Sequence, residues 1–230
     1  MERGLYIAAT GMMAEMVRQD QIANDLANTS TPGYKTDRST QRSFGDILLA
    51  NTVSGQTVGR LGFGARIDSI VMDGSPAPLR ETGEALDFAI QGEGWFGVRT
   101  PQGVRYTRNG QFALSPQGTL IDGMGNVVLG RGGGPVRAGR GGRIDPRQLG
   151  VFNVANPRKV GDSYVTGAAG GQATGLVRQG ALEGSNVAPS RSMVDMIASF
   201  RAFEAGQRVV HTIDETLQKA SNVVGAIPGA

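Results

Sequence analysis

One short stretch of the sequence has the residue spacing of a dinucleotide-binding loop. Gly92, Gly94 and Gly97 follow a predicted strand in the pattern G-x-G-x-x-G. That chemistry requires a helix to begin at the loop, because the first N–H groups of the helix then face a pyrophosphate. Residues 98–103 predict a strand and a turn instead. We therefore predict that these glycines serve tight turns and close strand packing, with no nucleotide site.

A second stretch, residues 131–147, combines glycines with five arginines: Arg131, Arg137, Arg140, Arg143 and Arg147. Arg/Gly segments of this kind bind RNA through their charge and through stacking on the bases. No aromatic residue lies within the segment, so a solvated loop between strands is the favoured interpretation. A nucleic-acid-binding coiled-coil protein that uses this segment is the alternative. Contact with an acidic neighbour or a cell-wall polymer is a further hypothesis.

The sequence contains no evident catalytic or metal-binding set. It has one histidine, His211, and no cysteine, which excludes histidine clusters, thiolate chemistry and cysteine-ligated metals. Asp214 and Glu215 lie near His211 on a predicted helix, but no facing carboxylate can be assigned and no serine stands in a G-x-S-x-G turn. We predict a protein without enzymatic activity, cofactor or metal. We expect His211 to be a surface or interface residue.

The composition limits the class of protein. With 230 residues, of which 39% are hydrophobic and 6% aromatic, the chain has room for one aliphatic core and a smaller unit. A net charge of +3 does not indicate a dedicated nucleic-acid binder. No apolar run reaches the ~18 residues of a membrane span, and the N-terminus lacks the pattern of a secretory signal. We therefore expect neither membrane insertion nor a cleaved signal peptide.

The longest regular pattern lies near the C-terminus, at residues 190–224. Its positions recur at a mean spacing near 3.5 residues, which is typical of a helix packed against another helix: Met196, Phe200, Phe203, Gln207, Val210, Ile213, Leu217, Ala220 and Val224. A helix of ~33 residues would be about 50 Å long at ~1.5 Å per residue. An element of that length needs a long partner.

A similar pattern at the N-terminus, over residues 3–28, supplies the partner. Its heptad positions are Leu5, Ala9, Met12, Met16, Gln19, Ala23 and Leu26. The two helices could pair only with each other, or they could also pack against the same helices of neighbouring copies. Small and flexible seam residues favour several close neighbours. The candidate assembly interface consists of Leu5, Ala9, Met12, Met16, Ala23, Leu26, Met196, Phe200, Phe203, Val210, Ile213 and Leu217.

Between the helices the hydrophobic period changes to two. Pro32-Gly33 predicts a type II turn after the first helix, and Asn109-Gly110 predicts a hairpin turn. Short strands separated by turn residues indicate an antiparallel β-domain. The predicted strands are 66–72, 86–90, 95–98, 104–107, 111–114, 119–121, 127–129, 148–154 and 175–182.

The predicted fold class is therefore α+β, with N- and C-terminal coiled-coil helices that bracket a Gly-rich, mostly antiparallel β-domain. The terminal helical domain comprises residues 1–35 and 187–230. An irregular, glycine-punctuated linker spans residues 36–64, and the β-domain spans residues 65–186.

Several blocks of the sequence together resemble the axial proteins of the bacterial flagellum. The first, residues 26–35, follows the N-terminal helix and reads Leu-Ala-Asn-Thr-Ser-Thr-Pro-Gly-Tyr-Lys. The others are residues 88–96, 106–112 and 118–120, then residues 180–187 leading to 193–197 and 201–204. The chain looks like a flagellar basal-body rod protein of the proximal-rod or distal-rod type. Phe203-Glu204 favours the proximal type, and residues 44–49 favour the distal type.

The resemblance implies a structural subunit that self-assembles through its terminal helices into the axial drive shaft, which transmits torque from motor to hook. It implies a helical homo-oligomer with the terminal helices inside and the β-domain outside. The implied partners are other rod and hook proteins, the flagellar type III export apparatus, and surrounding ring proteins or the cell wall. The implied location is the basal body in the cell envelope, reached by export across the cytoplasmic membrane without a cleaved signal.

Overall fold

The computed structural model describes residues 2–50, 56–161 and 163–224. The described chain forms two compact units. One contains residues up to 24, residues 38–70 and residues from 190 onward; the other contains residues 25–37 and 71–189. The sequence also predicts that the C-terminal helix stops at Gly225 and Pro228, and these two residues lie outside the described ones.

Two long helices form most of the first unit. Helix α1 spans Glu2–Ala27 and helix α2 spans Pro189–Val224, so the predicted helices 3–28 and 190–224 are each within one residue at both ends. The two helices run antiparallel, because Gly4 lies beside Ile213 while the Ser199 hydroxyl donates a hydrogen bond to Glu15. At ~1.5 Å per residue α2 is about 54 Å long.

The rest of the first unit is a β-ribbon made of two pairs of strands. Its strands are β1 (Asp37–Ser43), β2 (Asp46–Ala50), β3 (Thr57–Gly62) and β4 (Ala65–Met72). Strand β1 pairs with β4, and β2 pairs antiparallel with β3. Residues 36–64, predicted to be irregular, therefore hold three of these strands. Hydrophobic alternation does not mark β1, because its sequence is Asp-Arg-Ser-Thr-Gln-Arg-Ser and most of it is exposed.

The second unit is a β-domain with eleven strands. They are β5 (Leu79–Glu81), β6 (Phe88–Gln91), β7 (Trp95–Thr100), β8 (Gly103–Thr107), β9 (Phe112–Leu114), β10 (Leu120–Asp122), β11 (Val127–Leu129), β12 (Val151–Val160), β13 (Tyr164–Gln172), β14 (Leu176–Gln179) and β15 (Ala181–Glu183). Seven form one sheet in the order β12-β13-β8-β7-β11-β10-β9, while β6 pairs with β14 and β5 with β15.

Part of the large sheet closes into a small barrel. Strand β12 pairs with both β13 and β7, and β8 pairs with both β7 and β13, so these four strands form a ring. The main core contains Phe88, Phe96, Leu120 and Val128, all fully buried. The Phe96 and Phe112 rings meet edge to face at 5.3 Å. The predicted α+β fold class is confirmed.

Details of the β-domain differ from the prediction, which did not include β5. Strand β13 was not predicted, since residues 167–171 read Gly-Ala-Ala-Gly-Gly, which has little strand propensity. A Cβ at Gly167 would lie 2.5 Å from Val154 Cγ1, so close packing against β12 requires the glycine. Asn109-Gly110 does not form a β8–β9 hairpin, because β9 pairs with β10; Gly110 instead accepts a hydrogen bond from Phe88 N–H.

The Tyr164 hydroxyl ties β13 to β10. It donates a hydrogen bond to Asp122 Oδ2 at 2.5 Å and accepts one from Asn126 Nδ2 at 3.1 Å. Burial, followed by the hydrogen bond to Asp122, raises the pKa of Tyr164 to about 12 from an ordinary 10.0. The folded state therefore keeps its proton at a pH where the unfolded state loses it.

We expect the stabilisation contributed by Tyr164 to be complete below pH 10 and to be lost as the pH rises through about 12. Urea unfolding of the native protein and of Tyr164→Phe, repeated across this range, measures it. The difference in unfolding free energy between the two proteins should be largest below pH 10 and should shrink above it. A difference that is independent of pH would contradict the assigned hydrogen bond.

Candidate assembly interface

Small residues of α1 face α2 within the helical unit. Gly4 and Ala8 are partly buried there, and Gly11 and the larger Glu15 continue the same heptad spacing. The approach is close, because a Cβ at Gly4 would lie 3.2 Å from Ile213 Cδ1. This contact face lies one residue before each position of the predicted seam. Within one chain, small residues of one helix therefore pack against apolar side chains of the other, as Gly4 does against Ile213 and Gly206 against Met12.

The matching face of α2 is also made of small residues. Ser199 is 1% exposed, and a Cβ at Gly206 would lie 2.7 Å from Met12 Cγ. The Ser199 hydroxyl donates to Glu15 Oε2 at 2.6 Å, and Gln41 Nε2 donates to Glu15 Oε1 at 3.3 Å. A polar contact in an otherwise apolar seam fixes the register of two helices.

The predicted interface residues therefore divide into two groups. Partly buried between or beside the helices are Ala9, Met12, Leu26, Met196, Phe203, Val210 and Ile213. Exposed to solvent are Leu5, Met16, Ala23, Phe200 and Leu217. Of the first group, Met12 packs against Gly206 and Ile213 against Gly4, while Leu26 belongs to the second unit. The second group remains exposed.

An apolar groove of about 700 Å³ runs along one side of the helix pair. Its walls are Leu5, Ala9, Met12, Met13 and Met16 from α1, and Phe203, Gln207, Val210, His211 and Asp214 from α2. His211 is therefore one of the residues that line the groove. Its neighbours are apolar except for Gln207 and Asp214.

The large apolar residues on the outside of the helices extend beyond this groove. On α1 they include Tyr6, Met13 and Val17, with exposed fractions of 52%, 67% and 41%. On α2 they include Met193, Val194, Ile197, Phe200, Val209 and Leu217. Contiguous exposed apolar surface of this kind marks a site of protein association.

One strip of α2 is polar. It consists of Arg201, Glu204, Arg208, Thr212 and Glu215, all exposed, and Arg208 forms an ion pair with Glu204 at 3.7 Å. Helix α2 therefore has exposed polar positions as well as exposed apolar ones. The apolar positions are suited to association, and the polar positions are suited to contact with solvent.

A buried charge network holds the β-domain together. Glu183, 1% exposed, accepts hydrogen bonds from Lys35 Nζ at 2.6 Å and from Arg108 Nη1 at 3.0 Å. The Ala77 N–H also donates to Glu183, and the Arg108 guanidinium lies 5.4 Å from the Trp95 ring centre. Burial lowers the pKa of Lys35 below its ordinary 10.5, although the Glu183 carboxylate opposes this effect. No local sequence signal joins Lys35, Arg108 and Glu183, so the network was not predicted.

The turn after α1 delivers Lys35 to this network. Gly33 has φ of 69°, and Tyr34 N–H donates to the Thr31 carbonyl at 3.3 Å, which agrees with the predicted type II turn. The Tyr34 hydroxyl donates to Asp25 Oδ1 at 2.8 Å. Burial raises the pKa of Asp25 above its ordinary 3.8, and the Tyr34 hydrogen bond opposes the change.

No helix begins at the loop with nucleotide-binding spacing: residues 92–94 form a bend after β6, and strand β7 begins at Trp95. A Cβ at Gly94 would lie 2.4 Å from Val151 Cγ1, and one at Gly97 would lie 2.7 Å from the Phe152 ring. These glycines thus allow close strand packing. The Arg/Gly segment 131–147 is a loop between β11 and β12.

Within the described ranges, no group of three or more acidic, histidine or cysteine side chains could hold a metal ion. No described helix is both long enough and apolar enough to cross a membrane.

Three family models match separate parts of the chain. The model "Flagella basal body rod protein" matches residues 5–35, "Flagellar hook protein FlgE/F/G D1 domain" matches residues 89–166, and "Flagellar basal body rod FlgEFG protein C-terminal" matches residues 178–223. The matched regions cover α1 and its turn, most of the barrel, and most of α2.

Curated relatives match over nearly the whole chain. The flagellar basal-body rod protein FlgG of Bacillus subtilis is 30% identical, with 97% of this chain and 99% of the relative aligned. FlgG of Agrobacterium fabrum is 32% identical over 93% of this chain and 96% of the relative. The flagellar basal-body rod protein FlgF of Mesorhizobium japonicum is 31% identical over 98% of this chain and 99% of the relative.

Membership of this family implies assembly with other rod components. Together with the full-length matches and the two helices around a β-domain, these findings lead to one conclusion: the chain belongs to the FlgF/FlgG family of flagellar basal-body rod proteins and is a non-enzymatic structural subunit located in the flagellar basal body.

Proposed function

We propose that the exposed apolar surface of the helix pair is covered by the helices of neighbouring copies. The rod would then be a helical homo-oligomer with the terminal helices at its axis and the β-domains outside. As an axial drive shaft, it would transmit torque from motor to hook. The observation that carries this proposal is the set of large apolar side chains, including Leu5, Met16 and Phe200, that remain exposed on the helices after Met12 and Ile213 have packed between them.

The energetics support association at this surface. Burying apolar area stabilises an interface by roughly 25 cal/mol per Å², and Phe200 and Leu5 are 50% and 40% exposed in the single chain. Methionine side chains such as Met13 and Met16 adapt to partners of different shape. A seam of this composition suits packing between identical copies as well as packing against related rod proteins.

The wider partners are proposed from the resemblance to rod proteins. The proposed partners are other rod and hook proteins at the ends of the homo-oligomer, the flagellar export apparatus before assembly, and the surrounding ring proteins or cell wall outside the β-domain. Residues 65–186 would make these lateral and outward contacts, and residues 1–35 and 187–230 would make the axial ones.

Electron microscopy and light scattering of the purified full-length protein over a range of concentrations test the proposal. We expect filaments or ordered oligomers above a critical concentration, and their loss when a charge is placed on the apolar helix face. A compact monomer at every concentration, both alone and with other rod proteins, would contradict self-assembly through these helices.

A further inference from the structure

Residues 131–147, the arginine segment, have an ordered backbone. Val136 and Ile144 are 2% and 3% exposed and belong to the main core. The Leu120 N–H donates to the Val136 carbonyl at 2.9 Å, and the Ala138 N–H donates to the Gly118 carbonyl at 2.8 Å. The backbone of the segment is therefore fixed to the β-domain at intervals.

The charge of this segment is unbalanced. Five arginines stand against one acidic residue, Asp145, for a formal net charge of +4. Asp145 accepts a hydrogen bond from the Arg147 backbone N–H at 2.9 Å. The exposed arginines are Arg131, Arg137, Arg143 and Arg147. None of these four forms an ion pair with another residue that the structure describes.

Residues 73–93, the acidic stretch, carry the opposite charge on the same domain. Five acidic residues stand against one arginine, Arg80, for a formal net charge of −4. Glu84 and Glu93 are exposed, and Glu81 is 76% exposed in its ion pair with Arg178. Across the described ranges, no ion pair joins this stretch to the arginine segment.

We propose that the arginine segment of one copy contacts the acidic stretch of a second copy in the assembled rod. The inference rests on the proposed function, because it requires identical copies to lie side by side. Since the two surfaces differ, the contact is heterologous, and a heterologous contact that does not close into a ring generates an open helical array. Complementary charge would set the orientation and register of the β-domains, while the helices supply apolar burial.

A second copy fits these surfaces better than a nucleic acid or an anionic polymer does. The exposed acidic side chains of the stretch are Glu81, Glu84 and Glu93, whose charge is opposite to that of the exposed arginines, so one partner accounts for both surfaces. The arginine segment has no aromatic residue for stacking on bases. Its ordered backbone suits arginines that bind carboxylates in a fixed, bidentate geometry.

Charge reversal in the full-length protein tests the contact. One variant carries Arg143→Glu with Arg147→Glu, and the second carries Glu84→Arg with Glu93→Arg. Each variant alone should raise the critical concentration for assembly about tenfold or more, which corresponds to about 1.4 kcal/mol. An equimolar mixture of the two variants, and a chain that carries all four substitutions, should both assemble within about threefold of the native concentration, because opposite charges meet again.

Arg158→Glu, an exposed arginine outside both stretches, is the matched control and should leave the critical concentration unchanged. Thermal unfolding of each dilute variant checks its fold. Assembly of both reversed variants at the native concentration would overturn the inference, and so would a mixture that assembles no better than either variant. Both results leave helix-driven assembly intact, whereas failure of the native protein to assemble contradicts the proposed function itself.

Discussion

Replacing Phe200 with aspartate is expected to prevent assembly while the dilute monomer stays folded. Phe200 is 50% exposed in the single chain, so a charge there costs the monomer little, typically within about 0.5 kcal/mol. Covered by a neighbouring helix, the same carboxylate would be buried without a partner, at a cost of several kcal/mol. The critical concentration should therefore rise by roughly three orders of magnitude, at tenfold per ~1.4 kcal/mol. Light scattering measures this.

Met16→Asp on α1 should have the same effect, because Met16 is 52% exposed and lines the apolar groove. Thr212→Asp provides the matched control. It adds the same charge to α2, but on the polar strip beside Arg208 and Glu215. If Phe200→Asp and Met16→Asp assemble as readily as Thr212→Asp, the uncovered apolar face is not the assembly interface.

Replacing Glu183 with alanine is expected to destabilise the β-domain by about 3–5 kcal/mol, since Lys35 and Arg108 would remain buried without their counter-charge. Domain stabilities are typically about 5–15 kcal/mol, so a large share of the total would be lost. Urea unfolding measured by the fluorescence of Trp95, the single tryptophan, reports the change from inside the network.

Glu81→Ala is the control for this experiment. Glu81 also pairs with an arginine, Arg178, but both side chains are more than half exposed, and exposed pairs contribute about 0–1 kcal/mol. Equal losses for Glu183→Ala and Glu81→Ala would show that burial of the network does not matter.

The loss in Glu183→Ala should also depend on pH. Burial lowers the pKa of Lys35, and the charge of the Glu183 carboxylate is the largest influence that opposes this lowering. Without Glu183 the pKa of Lys35 falls further, so the folded variant binds fewer protons than the unfolded chain below the ordinary value of 10.5. Its stability then rises with pH in that window, and its deficit should be smaller at pH 10 than at pH 7.

The terminal helices could be predicted well because their signal is local and repeated. Seam positions recur through Leu5 to Leu26 and through Met196 to Ala220, and many turns of consistent period outweigh any single exception. The β-domain was also predictable, since its strands alternate and its turns carry glycine. Strands β1, β2, β3, β5 and β13 were missed. Strand β13 is rich in small residues, and β1 is polar and exposed.

The site could be predicted only in part. Periodicity identifies large apolar side chains, and Leu5, Met16 and Phe200 are indeed at the helix surface. It does not identify which helix face is buried inside the chain. That face contains Gly4, Ser199 and Gly206, which are small and let the two helices approach closely. The signal was present as a second heptad of small residues. The predicted role of the seam in assembly stays a prediction.

Oxidative footprinting of Met13 and Met16 is the most direct test of whether neighbouring copies cover the apolar helix face. Dilute protein and assembled rods would be exposed to the same dose of hydrogen peroxide, and the sulfoxide at each methionine would be measured by mass spectrometry. In the dilute protein both should oxidise readily, as should Met124, since these side chains are 67%, 52% and 78% exposed. In assembled rods Met13 and Met16 should be strongly protected. Equal oxidation of these two residues in both states would contradict assembly through this face.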